Sequence, residues 1–89
     1  MAVYMVGYDL IRPNQDYEDL SKRIKNLVTW WHCLDSTWLI IHPGPATAIR
    51  DELAPYIVGR DEILVVGLTH EAAWQGFGNS CSEWLKKNL

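Results

Sequence analysis

The sequence predicts a small α+β fold whose sheet is covered on both faces. Two apolar runs, residues 2–10 (AVYMVGYDL) and 62–69 (EILVVGLT), carry apolar side chains at odd and even positions alike, which is typical of central strands. Between these runs, apolar residues recur at helical spacing in two separate segments. With 89 residues, of which 48% are hydrophobic, the chain is expected to form one domain over residues 1–89.

The first strand leads into a loop and then into a helix. The segment IRPNQD, which follows the strand, contains Pro13 and Asn14, and both residues are typical of turns. Asp16 is placed to cap the helix that follows. The apolar residues of this helix recur at helical spacing: Tyr17, Leu20, Ile24 and Leu27.

Residues 29–42 (TWWHCLDSTWLIIH) predict a β-hairpin. The run is rich in Trp, Thr and Ile, but it is about twice as long as a usual strand. We therefore expect strands over residues 29–34 and 37–42, joined by a turn at Asp35-Ser36.

A second helix is predicted over residues 46–53 (ATAIRDEL). The preceding PGP stretch ends the hairpin and places Pro45 at the helix start, where its missing N–H costs nothing. Ile49 and Leu53 are expected to face inward, and Pro55 marks the end of the helix. The apolar run 62–69 then forms the last strand of the core.

The predicted order is strand, helix, strand, strand, helix, strand. This order is the split βαβ, or ferredoxin-like, arrangement, in which two right-handed crossovers leave both helices on one face of an antiparallel sheet. We assign this core to residues 2–69 and a C-terminal extension to residues 70–89. Either the extension or a second copy of the chain is expected to cover the other face of the sheet.

The extension is predicted to contain a short strand and a helix. Residues 72–77 (AAWQGF) are the candidate strand, and Ser80 and Glu83 have the spacing of a capping box before the helix. The apolar residues that this helix would present to the domain are Cys81, Trp84, Leu85 and Leu89.

Composition and charge argue for a protein that associates with itself and against a dedicated nucleic-acid binder. Five Trp and four Tyr exceed what a small core needs, and surplus aromatic residues tend to lie at interfaces, so a homodimer is expected. The net charge is −3, with eight Lys and Arg mixed among eleven Asp and Glu. Nucleic-acid binding without sequence preference depends on Lys and Arg that neutralise phosphates, and this chain has no basic stripe.

The termini and the cysteines favour a cytoplasmic location. No apolar run reaches the length that spans a bilayer, and no basic segment followed by a long apolar run marks a secretory signal. Cys33 and Cys81 do not form the pattern of a disulfide framework. Each is expected to be a small buried apolar residue rather than a nucleophile.

Several of these segments resemble one known family. The strand end Tyr8-Asp9-Leu10, the strand start Ser36-Thr37-Trp38 and the C-terminal EAAWQGF and CSEWLKKNL are similar to the SinR-like proteins, small relatives of the CRISPR-associated protein two superfamily. The resemblance covers most of the chain. It implies a ferredoxin-like homodimer in which the open faces of the two sheets meet. It also implies that AAWQGF adds a strand to the sheet of the partner.

The resemblance further implies a role for Asp9 in binding a divalent metal. In nuclease members the corresponding carboxylate lies near the two-fold axis and binds the metal together with its symmetry mate. Two such carboxylates are able to hold one hydrated Mg²⁺ and to activate a water for attack on a phosphodiester. The alternative is that Asp9 ends a strand and bonds loop N–H groups around Asn14 or the side chain of Arg12.

Candidate groups for the scissile phosphate are Arg12 and Ser36, the latter with Thr37. Their alternative roles are an exposed loop arginine and turn hydroxyls that bond the local backbone. The three histidines, His32, His42 and His70, show no spacing typical of a zinc site.

The hairpin tryptophans allow two interpretations. Trp30, Trp31 and Trp38 are the residues of a possible base-stacking platform for single strands. Such platforms normally have basic neighbours, which His32 and Asp35 do not provide. Because Trp30 and Trp31 are adjacent in a strand, they point to opposite faces, so one is expected in the helix-side core and the other at an interface.

Three functions follow from these patterns. We favour a homodimeric interaction or regulatory module without turnover, which binds a protein partner in a phage-defence or mobile-element context. The first alternative is a metal-dependent endoribonuclease or endonuclease that uses Asp9 of both subunits with Mg²⁺. The second is a nucleic-acid-binding component of an adaptation system that does not cleave its ligand.

Overall fold

The computed structural model describes residues 2–11, 18–27 and 29–89. The described residues form these elements in chain order: β1 (Ala2–Asp9), α1 (Glu18–Lys25), β2 (Thr29–Leu34), β3 (Thr37–His42), α2 (Ala46–Leu53), a 3₁₀ turn (Ala54–Tyr56), β4 (Glu62–Gly67) and α3 (Asn79–Asn88). Both predicted hairpin strands and the second helix are confirmed with the expected bounds. The cap predicted at Asp16 and the helix residue Tyr17 lie outside the described residues.

The described strands form one four-stranded sheet in the order β2-β3-β1-β4, and all neighbours in it are antiparallel. β1 lies inside the sheet, which explains why its apolar side chains occupy both faces. The fold is a small α+β arrangement compatible with the ferredoxin-like class. β4 and β2 are the edge strands of this sheet.

One face of the sheet, the helix face, is covered by α1 and α2. Its fully buried side chains come from both layers: Val6, Trp38, Ile40, Leu20, Ile24, Ile49 and Leu53. The helical spacing of Leu20 and Ile24 and of Ile49 and Leu53 places each pair on the side of its helix that meets the sheet. This layer is the core that the sequence predicts.

The other face of the sheet, the opposite face, is covered by the C-terminal segment, residues 68–89. Its buried side chains are Val3, Trp31, Leu39 and Leu85, with partly buried neighbours that include Trp74, Phe77 and Trp84. The C-terminal extension thus covers this face, as one of the two alternatives in the sequence analysis predicted.

Two predictions for the C-terminal segment are wrong. Residues 72–77 form no strand within the chain, where Trp74 and Phe77 pack on the opposite face and Gly76 has a φ of +95°, and their pairing with a partner's sheet stays a prediction. α3 begins at Asn79, and its N-cap residue is Gly78, so no side-chain hydrogen bond caps the helix. Ser80 lies inside the helix, and the predicted capping box of Ser80 and Glu83 does not form.

The prediction for the cysteines is also wrong. Cys33 of β2 and Cys81 of α3 form a disulfide; their Cα atoms are 6.4 Å apart and the residues are 48 positions apart in sequence. The sequence did not indicate the pair because only the folding of α3 over β2 brings the two residues together. Among the described residues, no helix is long and apolar enough to cross a bilayer.

Candidate functional site

Asp9 ends β1 directly opposite Glu62, the first residue of β4. Residues directly opposite each other in an antiparallel pair share a face and lie close together. Asp9 is two residues beyond Gly7 and therefore projects from the opposite face, away from Tyr8, which is buried on the helix face. Both carboxylates are exposed, so the chain presents two adjacent negative charges at one corner of the sheet.

Gly7 leaves a shallow depression beside these carboxylates. It pairs with Thr37 on one side and with Leu64 on the other, so the three residues form a row across the opposite face. A Cβ at Gly7 would meet no atom within 4 Å, so the surface above it is open. A hydroxyl, an apolar side chain and two carboxylates thus surround one glycine.

Of the other predicted site residues, Arg12 lies outside the described residues and Ser36 lies in the β2–β3 turn. The Ser36 carbonyl accepts a hydrogen bond from the Tyr8 amide at 3.1 Å. Ser36 lines a polar cleft with His32 and Asp35, whereas Asp9 lines a cleft with Gly7 and Glu62. Ser36 and Asp9 thus line different clefts, and their catalytic roles stay predictions.

The donor set at Asp9 fits a divalent cation only in part. Mg²⁺ is held by one or two carboxylates together with waters, and Asp9 and Glu62 supply two from one chain. Among the described residues, no group of three or more His, Cys, Asp and Glu side chains is placed to hold a metal ion. A second copy that met this corner across a two-fold axis would add its own pair of carboxylates.

Glu62 and Gly7 are the site residues that sequence reasoning missed. Both lie in runs that the sequence identifies as strands, so their side-chain directions follow from the period of two. The residues that they pair with cannot be predicted from this period, because the register depends on how the strands align in the sheet. The one sequence feature that could have indicated Glu62 is its position as the acidic first residue of an otherwise apolar strand.

β4 is an exposed edge with apolar character. Leu64 has 57% of its surface exposed, the largest fraction among the large apolar residues that the structure describes, and it lies on the opposite face. A groove lined by α2 and β4, including Arg50 and Val65, runs along the same edge on its other side. Edge strands present unpaired backbone groups to partners, so this edge is a candidate interface.

An aromatic cluster with a basic neighbour lies on the helix face of the hairpin. The His32 ring stacks on Trp38 with ring centroids 3.7 Å apart, and Trp30 meets the same Trp38 ring at 5.5 Å. The Lys25 ammonium lies 5.2 Å from the centre of the Trp30 ring, which is 40% exposed. Trp31 points to the opposite face and is 4% exposed, so the prediction that the two tryptophans separate is confirmed.

Comparisons of the chain with protein-family models, with curated proteins and with solved structures found no match. The resemblance to the SinR-like proteins therefore stays a prediction.

Proposed function

We propose that this protein is a homodimeric interaction module without turnover, with a ferredoxin-like core similar to the SinR-like proteins. The observation that carries the proposal is the exposed Leu64 on the edge strand β4, beside the open surface above Gly7. A partner that covered Leu64 would remove its side chain from water. The binding free energy would become more favourable by about 25 cal/mol per Å² of apolar surface buried. The free edge of β4 supplies backbone hydrogen bonds for the same partner.

The proposed interface joins the β4 edges of two chains around a two-fold axis. A self-complementary patch of this kind is the usual basis of a homodimer. It would bring Asp9 and Glu62 of both chains near the axis, because Glu62 lies two residues from Leu64 on the same face. Like charges at this position favour an interface that keeps water or a cation between the carboxylates.

The test of the dimer is the mass of the protein in solution, measured by light scattering or sedimentation. We expect the wild type to be a dimer and Leu64→Glu to be a monomer. Leu34→Glu is the matched control, because Leu34 is 48% exposed on the other edge strand, β2. A monomeric wild type would contradict the proposal, and loss of the dimer in Leu34→Glu alone would move the interface to β2.

A second candidate function is a metal-dependent nuclease, and the pairing of Asp9 with Glu62 favours it. Mg²⁺ would supply an activated water and charge neutralisation at the phosphate. In the chain itself, Asp9 and Glu62 would hold the metal. Thr37, which pairs with Gly7 on the same face, would donate a hydrogen bond to the phosphate.

The nuclease candidate is tested by cleavage of single- and double-stranded RNA and DNA with and without Mg²⁺ or Mn²⁺. Activity that needs metal and is lost in both Asp9→Asn and Glu62→Gln would establish the nuclease and overturn the module without turnover. Glu83→Gln is the control, since Glu83 is an exposed carboxylate of α3. No cleavage by a protein that is confirmed as a dimer would favour the interaction module.

Binding of single-stranded nucleic acid without cleavage is favoured by one observation, the contact of Lys25 with the exposed Trp30. Aromatic stacking and a nearby cation are the two parts of a sequence-tolerant platform. A salt-sensitive shift of labelled oligonucleotide that is lost in Trp30→Ala would support it. The phage-defence or mobile-element context is a proposal that rests on the resemblance alone, and the cytoplasmic location is a proposal that rests on the sequence pattern.

A further inference from the structure

The C-terminal segment is attached to the opposite face by few polar contacts. Leu68 donates a backbone hydrogen bond to the Val3 carbonyl at 2.9 Å, as an extension of β4. Farther along, the Trp31 indole N–H donates to the Cys81 carbonyl at 3.1 Å. Residues 68–78, which join β4 to α3, contain no helix or strand. The covalent link between Cys33 and Cys81 lies beside the Trp31 hydrogen bond, so both attach the same end of α3 to β2.

The packing beneath this segment is incomplete. An apolar groove of about 220 Å³ runs between the sheet and the segment, and Met5, Leu39 and Leu85 are among its lining residues. The Trp84 indole N–H is buried and has no hydrogen-bond partner among the described residues. A buried donor without a partner destabilises the conformation that buries it. The disulfide therefore adds a covalent link where the packing of α3 on the sheet is incomplete.

We propose that the Cys33–Cys81 disulfide is a redox-sensitive latch for the C-terminal segment. With the disulfide formed, α3 stays on β2 and covers the opposite face. With the disulfide reduced, residues 68–89 leave this face while the sheet, α1 and α2 stay folded. Local opening of this kind is expected where a segment is incompletely packed and has no regular structure on its connecting side.

The chemistry of opening is thiol–disulfide exchange with a dithiol reductant. A thiolate of the reductant attacks one sulfur of the cystine and forms a mixed disulfide, while the other cysteine leaves as a thiolate and takes up a proton. The second thiol of the reductant then breaks the mixed disulfide. Two electrons pass to the cystine, both cysteines end as thiols, and the reductant ends as a disulfide. Cys33 and Cys81 are each partly exposed, which gives the attacking thiolate access.

The latch gives the disulfide a role that agrees with a reducing compartment. Structural disulfides persist in oxidising environments, whereas those of cytosolic proteins are mostly transient or redox-sensing. Opening would expose the apolar side chains of the opposite face, including Val3, Trp31 and Leu39. The inference concerns the chain by itself and does not depend on the proposed homodimer.

The test is amide hydrogen exchange of the oxidised protein, of the protein reduced with dithiothreitol, and of Cys33→Ser/Cys81→Ser. We expect the amides of α3 to exchange about 30 to 1000 times faster in the reduced protein and in the double variant, the range that loss of a disulfide produces. The amides of β1 and β3 should stay better protected than those of α3, because they exchange only when the sheet itself unfolds. Reoxidation of the wild type should restore slow exchange in α3.

Two results would overturn the latch. The first is equal protection of α3 in the oxidised and reduced proteins, which would mean that packing alone holds the segment. The second is equal protection of α3 and of the sheet in the reduced protein, which would mean that the two unfold together and that the disulfide is a general structural link. The serine variant separates effects of the link from effects of the reductant, because dithiothreitol should change nothing in it.

Discussion

The two faces of the sheet are covered in different ways. On the helix face, the sheet and two helices contribute side chains that are completely buried, such as Trp38, Ile49 and Leu53. On the opposite face, the most buried side chains retain a few per cent of exposure, and one short helix is held by a disulfide. The helix face is thus stabilised mainly by packing, whereas the opposite face combines weaker packing with a covalent link.

The two faces also differ in whether a buried tryptophan N–H has a hydrogen-bond partner. The Trp38 indole N–H, on the helix face, donates to the Tyr8 hydroxyl at 3.0 Å. The Trp84 indole N–H, in the C-terminal segment, has no partner among the described residues. A core that satisfies its polar groups is specific for one arrangement, and a layer that leaves one unsatisfied is more easily rearranged. Conformational change in this molecule is therefore expected on the opposite face.

The largest effect should come from a matched pair of leucine truncations. Leu53→Ala, in the fully buried layer of the helix face, should lower the free energy of unfolding by about 3–5 kcal/mol. Leu85→Ala should cost about 2 kcal/mol, because Leu85 already borders a groove into which its neighbours can relax. Urea denaturation measures both values. Equal losses would show that the two faces are packed equally well.

Removal of the disulfide should have the next largest effect. Cys33→Ser/Cys81→Ser should lower the free energy of unfolding by about 2–4 kcal/mol, because the unfolded chain is no longer closed into a loop. Urea denaturation of the wild type and of the double variant measures this loss. An unchanged free energy of unfolding would show that the link contributes little to stability.

Tyr8→Phe would leave a buried indole N–H without a partner on the helix face, as is already the case for Trp84 among the described residues of the C-terminal segment. Loss of the hydroxyl leaves the Trp38 indole N–H buried without this acceptor, at a cost of about 1–3 kcal/mol. Thermal unfolding followed by circular dichroism measures the loss. Tyr56→Phe is the control, because Tyr56 is only partly buried at the edge of the same cluster. A neutral Tyr8→Phe would show that this hydrogen bond contributes little.

The smallest effect is expected at the corner of the sheet where Asp9 meets Glu62. Like charges directly opposite each other are destabilising, so Asp9→Asn should raise the free energy of unfolding by about 0.2–1 kcal/mol. The gain should shrink as salt is added, because exposed charges are screened. Denaturation at low and high ionic strength measures it. Destabilisation by Asp9→Asn would instead mean that the carboxylate makes a favourable contact.

The hydrophobic pattern of the sequence was sufficient to predict the core. Both hairpin strands, the second helix and the inward residues Ile49 and Leu53 are as expected. These features are local, since the period of apolar residues selects strand or helix and Pro45 marks a boundary. Asp9 was likewise placed at the end of a strand by its position after an apolar run.

Features that depend on distant residues were decided only by the tertiary structure. Glu62 faces Asp9, and Cys81 reaches Cys33, because of sheet register and helix docking, which no local pattern encodes. The C-terminal aromatics did not form the expected strand, since burying Trp74 and Phe77 against an uncovered sheet face removes more apolar surface from water than an exposed edge strand would. The sequence alone determined the hairpin strands and the second helix of the core, whereas the packing of the segments determined the structure of residues 72–77 and which residues meet.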